Sequence, residues 1–184
     1  MHNATDIHAR LAADAALQAE ISEALLAVAD SLPQGCDPRI LKLVSRTLEA
    51  SWEEHVSFQD AVMFPIVIGR HARRATPIVD RLRADHAGIS RRHTAIHQRL
   101  QQMLDGVAGE LATLEEALRA TFELRRDHMH VDAELGSWLP QNFSPAELSL
   151  CCAWEVTRPA PRFPLNVLQA TRRRSFRLGG GGLH

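Results

Sequence analysis

Apolar residues recur at three- and four-residue spacing through four long segments, and proline, glycine or aspartate interrupts the pattern between them. The first segment carries Ile7, Leu11, Ala15, Ile21, Leu25, Val28 and Leu32 and stops at Pro33-Gln34-Gly35. Asp37-Pro38 reads as an N-cap followed by proline at the first helical position. A second helix then runs through Leu41, Val44, Leu48, Trp52, His55 and Val62 to a bend or stop near Pro65. Thr76-Pro77 is expected to open a third, with Ile78, Leu82, His86, Ile89, His93, Ile96 and Leu100, ending near Asp105-Gly106. The fourth carries Leu111, Leu114, Leu118, Phe122, His130 and Leu135, and Pro140 halts it. Short links between long amphipathic helices make neighbours antiparallel, so the spacing predicts an all-α, up-down-up-down four-helix bundle.

Ser144-Pro145-Ala146-Glu147 has the form of a capping box opening a short fifth helix over Leu148 to Val156. Beyond it the composition turns to Pro159, Pro161 and Pro164, then Arg172-Arg173-Arg174 and four glycines. The expected organisation is one domain over 1–156 and an irregular, loosely packed tail over 157–184.

The bulk numbers narrow the function. A net charge of −1 offers no global field for nucleic acid or an anionic membrane. The lack of Tyr and the 5% of aromatic residues argue against an all-β fold or a stacking surface for single-stranded nucleic acid. No apolar run approaches a bilayer span, and no secretory leader is recognisable, so the expected compartment is the cytoplasm. Cys36, Cys151 and Cys152 make no CxxC pair and read as free thiols. No nucleophile elbow, phosphate-binding loop or dinucleotide fingerprint occurs, which argues against turnover of an organic substrate.

The chemistry sits in a motif that occurs twice. His130-Val131-Asp132-Ala133-Glu134 is followed by Trp138-Leu139-Pro140, and His55-Val56-Ser57-Phe58-Gln59 by Met63-Phe64-Pro65. On a helix, residues four apart share a face, so His130 and Glu134 could grip one ion together. Gln59 lacks the carboxylate of its counterpart. Helix three also repeats helix one: Leu82-Arg83-Ala84-Asp85-His86 matches Leu11-Ala12-Ala13-Asp14-Ala15, which sets Ala15 opposite His86. With His86, the pair His130 and Glu134 forms a two-histidine-one-carboxylate set suited to Fe(II), Mn(II) or Zn(II). His55 at the same level adds a fourth donor. His93 belongs to another layer by this spacing, and His128, two residues before His130, is expected to face solvent.

This order of a helix-three histidine followed by His-x-x-x-Glu and an apolar-Pro pair resembles the hemerythrin-like HHE cation-binding domains, over about residues 5 to 140. The resemblance implies a four-helix bundle around two non-haem irons, with histidines from all four helices and bridging glutamates from helices two and four. Carried over, it assigns His86, His130 and Glu134 to one iron and His55 to the other. Ala15 and Gln59 stand where a histidine and a glutamate belong. It therefore implies a half-degenerate site holding at most one iron per chain, with Mn or Zn as substitutes. The ligands it implies are dioxygen, nitric oxide or peroxide, in a role of sensing or iron handling. An alternative of another class stays open: a bundle without metal, kept as an interaction module.

Overall fold

A computed structural model describes residues 4–106 and 111–157. The chain forms α1 (Ala4–Ser31), a 3-10 turn (Leu32–Gln34), α2 (Pro38–Phe58), a π-turn (Gln59–Met63), α3 (Phe64–Leu104), α4 (Leu111–Gly136) and α5 (Pro145–Thr157). No strand occurs among the described residues, in keeping with the all-α expectation.

Local chemistry accounts for most of the boundaries. The 3-10 turn carries Pro33 and closes on Gly35, whose φ of 90° suits a residue without Cβ. Asp37 caps α2 by accepting from the Arg39 N–H at 2.8 Å, and Pro38 starts the helix. Gly106, with φ of 77°, ends α3.

The second link is where reading by prolines fails. Pro65 neither ends α2 nor reverses the chain. The helical path widens into the π-turn just before it, where the Phe64 N–H donates to the Gln59 carbonyl. A widened turn lets a helix pass a residue that cannot donate. The chain bends instead at His71, whose φ of −135° and ψ of 36° lie outside the helical range. Thr76-Pro77 therefore lies within α3 rather than at its start. Pro77 leaves the Arg73 carbonyl without its helical donor, and Arg73 is exposed to water near this helix end.

Cross-helix bonds fix the directions. Asp60–Arg83 (2.9 Å), Trp52–Ser90 (3.2 Å) and Ser45–His97 (2.6 Å) step down α2 as they step up α3, so the chain reverses about His71. Arg10–Glu54 and Gln18–Ser51 pair α1 with α2 in the same descending order. Gln18–Arg125 with Asp30–Arg119 does so for α1 and α4, and His93–Arg125 with Arg99–Thr113 for α3 and α4. The bundle formed by α1, α2, α3 beyond His71 and α4 thus has antiparallel neighbours.

The apolar interior is split in two. One cluster gathers Phe58, Val62, Phe64, Val67, Leu82, Leu135 and Trp154, and the other Ile21, Leu25, Val28, Leu48, Ile96, Leu100 and Leu118. Between them lies a buried polar layer that includes Gln18, Ser22, His55, Gln59, His86, His93, Arg125, His128 and Asp132. Burying so many polar groups is costly unless they are paired with one another or with a ligand.

The fifth helix forms with the expected capping box. The Ser144 N–H donates to Glu147 Oε2 at 2.7 Å, and the Glu147 N–H donates to Ser144 Oγ at 3.3 Å. Arg70 also binds Glu147, and this contact pulls its carboxyl down to about 2. Trp154 of α5 packs on Phe58 at 5.1 Å and donates to Ser57 Oγ. We expect Ser144→Ala to lower the melting stability by roughly 0.5–2 kcal/mol, the usual value of an N-cap. An unchanged melting curve would show that α5 is held by packing alone. The proline- and arginine-rich segment, 158–184, lies outside the described residues.

Candidate metal centre

The helical stripes continue without a break through the polar layer. In α4 the buried positions are Leu114, Leu118, Thr121, Arg125, His128, Asp132 and Leu135, an unbroken alternation of three and four. His128 and Asp132 therefore face inward. His130 and Glu134 are exposed. Residues two apart on a helix point to nearly opposite sides, so the two histidines cannot share a face. The expected ligand residues His130 and Glu134 thus face away from the polar layer, which His128 and Asp132 enter instead, and His128 is not a solvent-facing residue. His130 lines a surface crevice with Arg81, Arg126 and Asp127.

In α1 the register holds, but the position opposite His86 does not reach the layer. Ala15 is exposed, and Asp14 is the residue that reaches the layer, its Oδ2 lying 2.6 Å from His55 Nδ1. His55 and His86 stand where the sequence analysis placed them, in one layer, but their companion from α4 is His128. One ligand nitrogen from each of His55, His86 and His128 lies within 4.8 Å of the other two, and all three side chains are buried. His55 Nε2 and His128 Nε2 are 3.3 Å apart. With metal–nitrogen bonds of 2.0–2.1 Å, adjacent ligand nitrogens on one ion stand about 2.9–3.4 Å apart, so this spacing already fits.

The flanking groups orient these nitrogens. Asp14 accepts from His55 Nδ1, which leaves the Nε2 lone pair for a ligand role. Gln18 Nε2 in turn donates to Asp14 Oδ1 at 3.1 Å. Asp85 Oδ2 stands 3.9 Å from His128 Nδ1, a longer version of the same arrangement. His86 Nε2 meets Gln59 Oε1 at 2.9 Å. Asp14 with Asp85, His55 with His128, and Gln59 with Asp132 are thus corresponding positions of the duplicated hairpin. The fourth helix is two residues out of the register that the prolines suggest, because Pro65 lies inside a helix and Pro140 beyond the end of one.

The electrostatics favour neutral imidazoles at His86 and His128, each with a ring nitrogen short of a partner. Burial first, then the nearby His55, pushes His86 down to about 4. Burial followed by His55, His86 and Arg125 pushes His128 down to about 2. Burial also raises the Asp132 carboxyl to about 6. Asp132 Oδ1, Gln59 Nε2, His86 Nδ1 and His128 Nδ1 are buried without a hydrogen-bond partner. Unpaired buried polar atoms around converging imidazoles are what a bound cation would relieve. The donor set of three histidines, with Asp132 and Gln59 one turn further along, fits one divalent ion of the Zn, Mn or Fe(II) kind.

A second cation faces an obstacle absent from the sequence analysis. Arg125, one turn before His128, is fully buried. Its guanidinium donates to Gln18 Oε1 at 2.6 Å and Ser22 Oγ at 3.1 Å, contacts His93 Nε2 at 3.3 Å, and lies 5.0 Å from the Trp52 ring centre. Burial pulls its pKa down to about 9, opposed by Asp14, so it stays charged at neutral pH. Trp52 touches His55, His86, His93 and His128 with ring-centre distances of 5.0–5.7 Å. This side of the layer is filled by an indole and an internal cation.

The sequence model of the hemerythrin HHE cation binding domain family matches residues 2–135. The chain belongs to that family, and its helical bundle and buried histidine cluster suggest metal binding. No curated protein and no solved structure matches it.

Among the described residues, no helix is long and apolar enough to cross a membrane. Among the described residues no disulfide joins the cysteines; Cys151 is buried, and Cys36 and Cys152 are half-buried.

Proposed function

We propose that this protein binds a single non-haem metal ion, iron by family kinship, through His55, His86 and His128, with Asp132 as the fourth donor. The convergence of three buried imidazole nitrogens within 4.8 Å carries the reading. Three or four protein donors leave two or three positions open on a six-coordinate ion, enough for dioxygen, nitric oxide or peroxide. Iron bound there would supply a redox-active Lewis acid. The chain's own residues do the rest: Asp14 holds the His55 ring, the apolar clusters on both sides exclude bulk water, and Arg125 opposes a second positive ion. Sensing such a ligand, or handling iron, suits this layer better than turnover, because Trp52 and Arg125 take up the room beside the histidines.

Stoichiometry tests the proposal. Protein purified anaerobically without a metal-chelating tag is expected to carry, or to take up from Fe(II), no more than one ion per chain. Two irons with oxo-bridge absorption would overturn the mononuclear reading. A chain that stays metal-free after reconstitution with Fe(II), Mn(II) and Zn(II) would instead leave the interaction-module alternative. The buried, unpartnered atoms of His86, His128 and Asp132 speak against that alternative.

A further inference from the structure

The buried guanidinium of Arg125 meets no group of opposite sign. Its hydrogen bonds go to neutral partners: Gln18 Oε1, the Gln18 carbonyl, Ser22 Oγ and His93 Nε2. Among the described residues no carboxylate bonds to it, so its charge is not cancelled at contact and its field extends into the layer. The guanidinium carbon and the His55 ring each lie 5.0 Å from the centre of the Trp52 ring, which puts the charge within about 10 Å of that histidine. A chain of hydrogen bonds joins the two as well. Arg125 donates to Gln18 Oε1 at 2.6 Å, Gln18 Nε2 donates to Asp14 Oδ1 at 3.1 Å, and Asp14 Oδ2 accepts from His55 Nδ1 at 2.6 Å. Through Gln18 the guanidinium draws on the carboxylate that makes His55 the stronger donor. Asp85, the corresponding carboxylate on α3, also has an arginine. That residue, Arg81, stands 3.9 Å away and is 64% exposed, so water and salt screen it.

Resting on the single-ion reading above, we propose that Arg125 selects the charge of the bound ion: it favours a divalent ion at the histidine centre and disfavours a trivalent one. Burying charge is costly, and the cost grows with the charge left uncompensated. Asp132 and Asp14 are the carboxylates nearest the histidines, and Arg125 offsets one of them. A divalent ion then leaves about one net positive charge in the layer, and a trivalent ion about two. Without the guanidinium the trivalent ion would face only about one. The consequence is a centre that resists oxidation and retains Fe(II) rather than Fe(III). Arg125 acts by its field and through Gln18 and Asp14, without touching the ion, so it is a tuning residue and not a ligand.

The test loads the full chain and its variants anaerobically with Fe(II) and reads the midpoint potential by mediated titration, the mediators exchanging one electron per ion. Arg125→Gln is expected to raise the preference for Fe(III) at least about tenfold, a fall of about 59 mV for a one-electron couple. Ser22→Asp sets a carboxylate beside the guanidinium Nε and keeps the arginine. It should lower the potential in the same direction, and it decides the question should the first variant fail to fold. Arg81→Gln, at the exposed arginine, should change the preference by less than about twofold. Zn(II), which has no redox step, should bind both charge-neutralised variants more tightly than the wild type. An unmoved or raised potential in the iron-loaded variants, or an equal fall in Arg81→Gln, would overturn this proposal and leave the single-ion reading standing. Failure of the wild type and every variant to take up Fe(II) or Zn(II) would overturn both.

Discussion

His128→Ala is expected to lower cation affinity by on the order of 100-fold or more, and His130→Ala by less than twofold. Loss of an outer-sphere partner alone commonly costs 10–100-fold, and His128 is placed to donate directly. The contrast is sharp because the two residues are separated by one position, share a helix and have the same chemistry. His128 is 1% exposed with Nε2 3.3 Å from that of His55, whereas His130 is exposed at a surface crevice. His55→Ala and His86→Ala should match His128→Ala, and Asp132→Asn should cost less, because the amide keeps a neutral oxygen donor. Glu134→Ala should leave binding intact. Calorimetric titration with Zn(II) or anaerobic Fe(II) reads all of these. Retained binding in His128→Ala together with loss in His130→Ala would mean that the fourth helix is turned by about half a revolution in solution.

Without metal the bundle should be sharply acid-labile. His86, His93 and His128 have folded pKa values of about 4, 2 and 2, against roughly 6.5 in the unfolded chain. Between about pH 6.5 and 4 the unfolded state therefore takes up protons that the folded state refuses. Stability rises with pH across that window and falls on acidification. Asp132 acts in the opposite sense, because its folded pKa of about 6 lets the native state hold a proton that the unfolded state loses above about pH 4. Near pH 5 the difference is about two protons, or roughly 2–3 kcal/mol per pH unit. A domain of ordinary stability, about 5–15 kcal/mol, is seriously weakened within two units. A bound cation should move the acid transition to lower pH, since it competes with protons for the same nitrogens and stabilises only the folded state. Urea melts at pH 7, 6, 5 and 4.5, with and without Zn(II), measure both effects. A flat stability profile in the metal-free chain would mean that water reaches these histidines. His93→Phe should remove part of the slope while leaving the three clustered histidines in place.

How far the residues alone lead can be judged position by position. The alternation of three and four belongs to the backbone period, so it declares four amphipathic helices and their inner faces without reference to any partner. Capping at Asp37 and at Ser144 with Glu147 is equally local and forms as written. His55 and His86 were legible because each continues its own apolar stripe. The same rule extended through Leu114, Leu118 and Thr121 leads to His128 and Asp132, but alignment on prolines pointed two residues further on. The prolines are not equivalent marks of register, because Pro65 is passed by a π-turn and Pro140 follows a helix end.

By itself, then, the sequence carried the helical periodicity, the caps and the histidines that continue the apolar stripes, since each follows from local chemistry, and its motif order carried the likeness to the family. Only the tertiary structure decided which histidines meet, that Asp14 holds the His55 ring, and that Arg125 lies in the layer as an internal cation. Those facts depend on the rotation of four helices about their own axes and on the turn at His71. A helix must turn by only about 100° per residue to exchange one side chain for the next, and the packing of its neighbours fixes that angle within the width of its own apolar stripe.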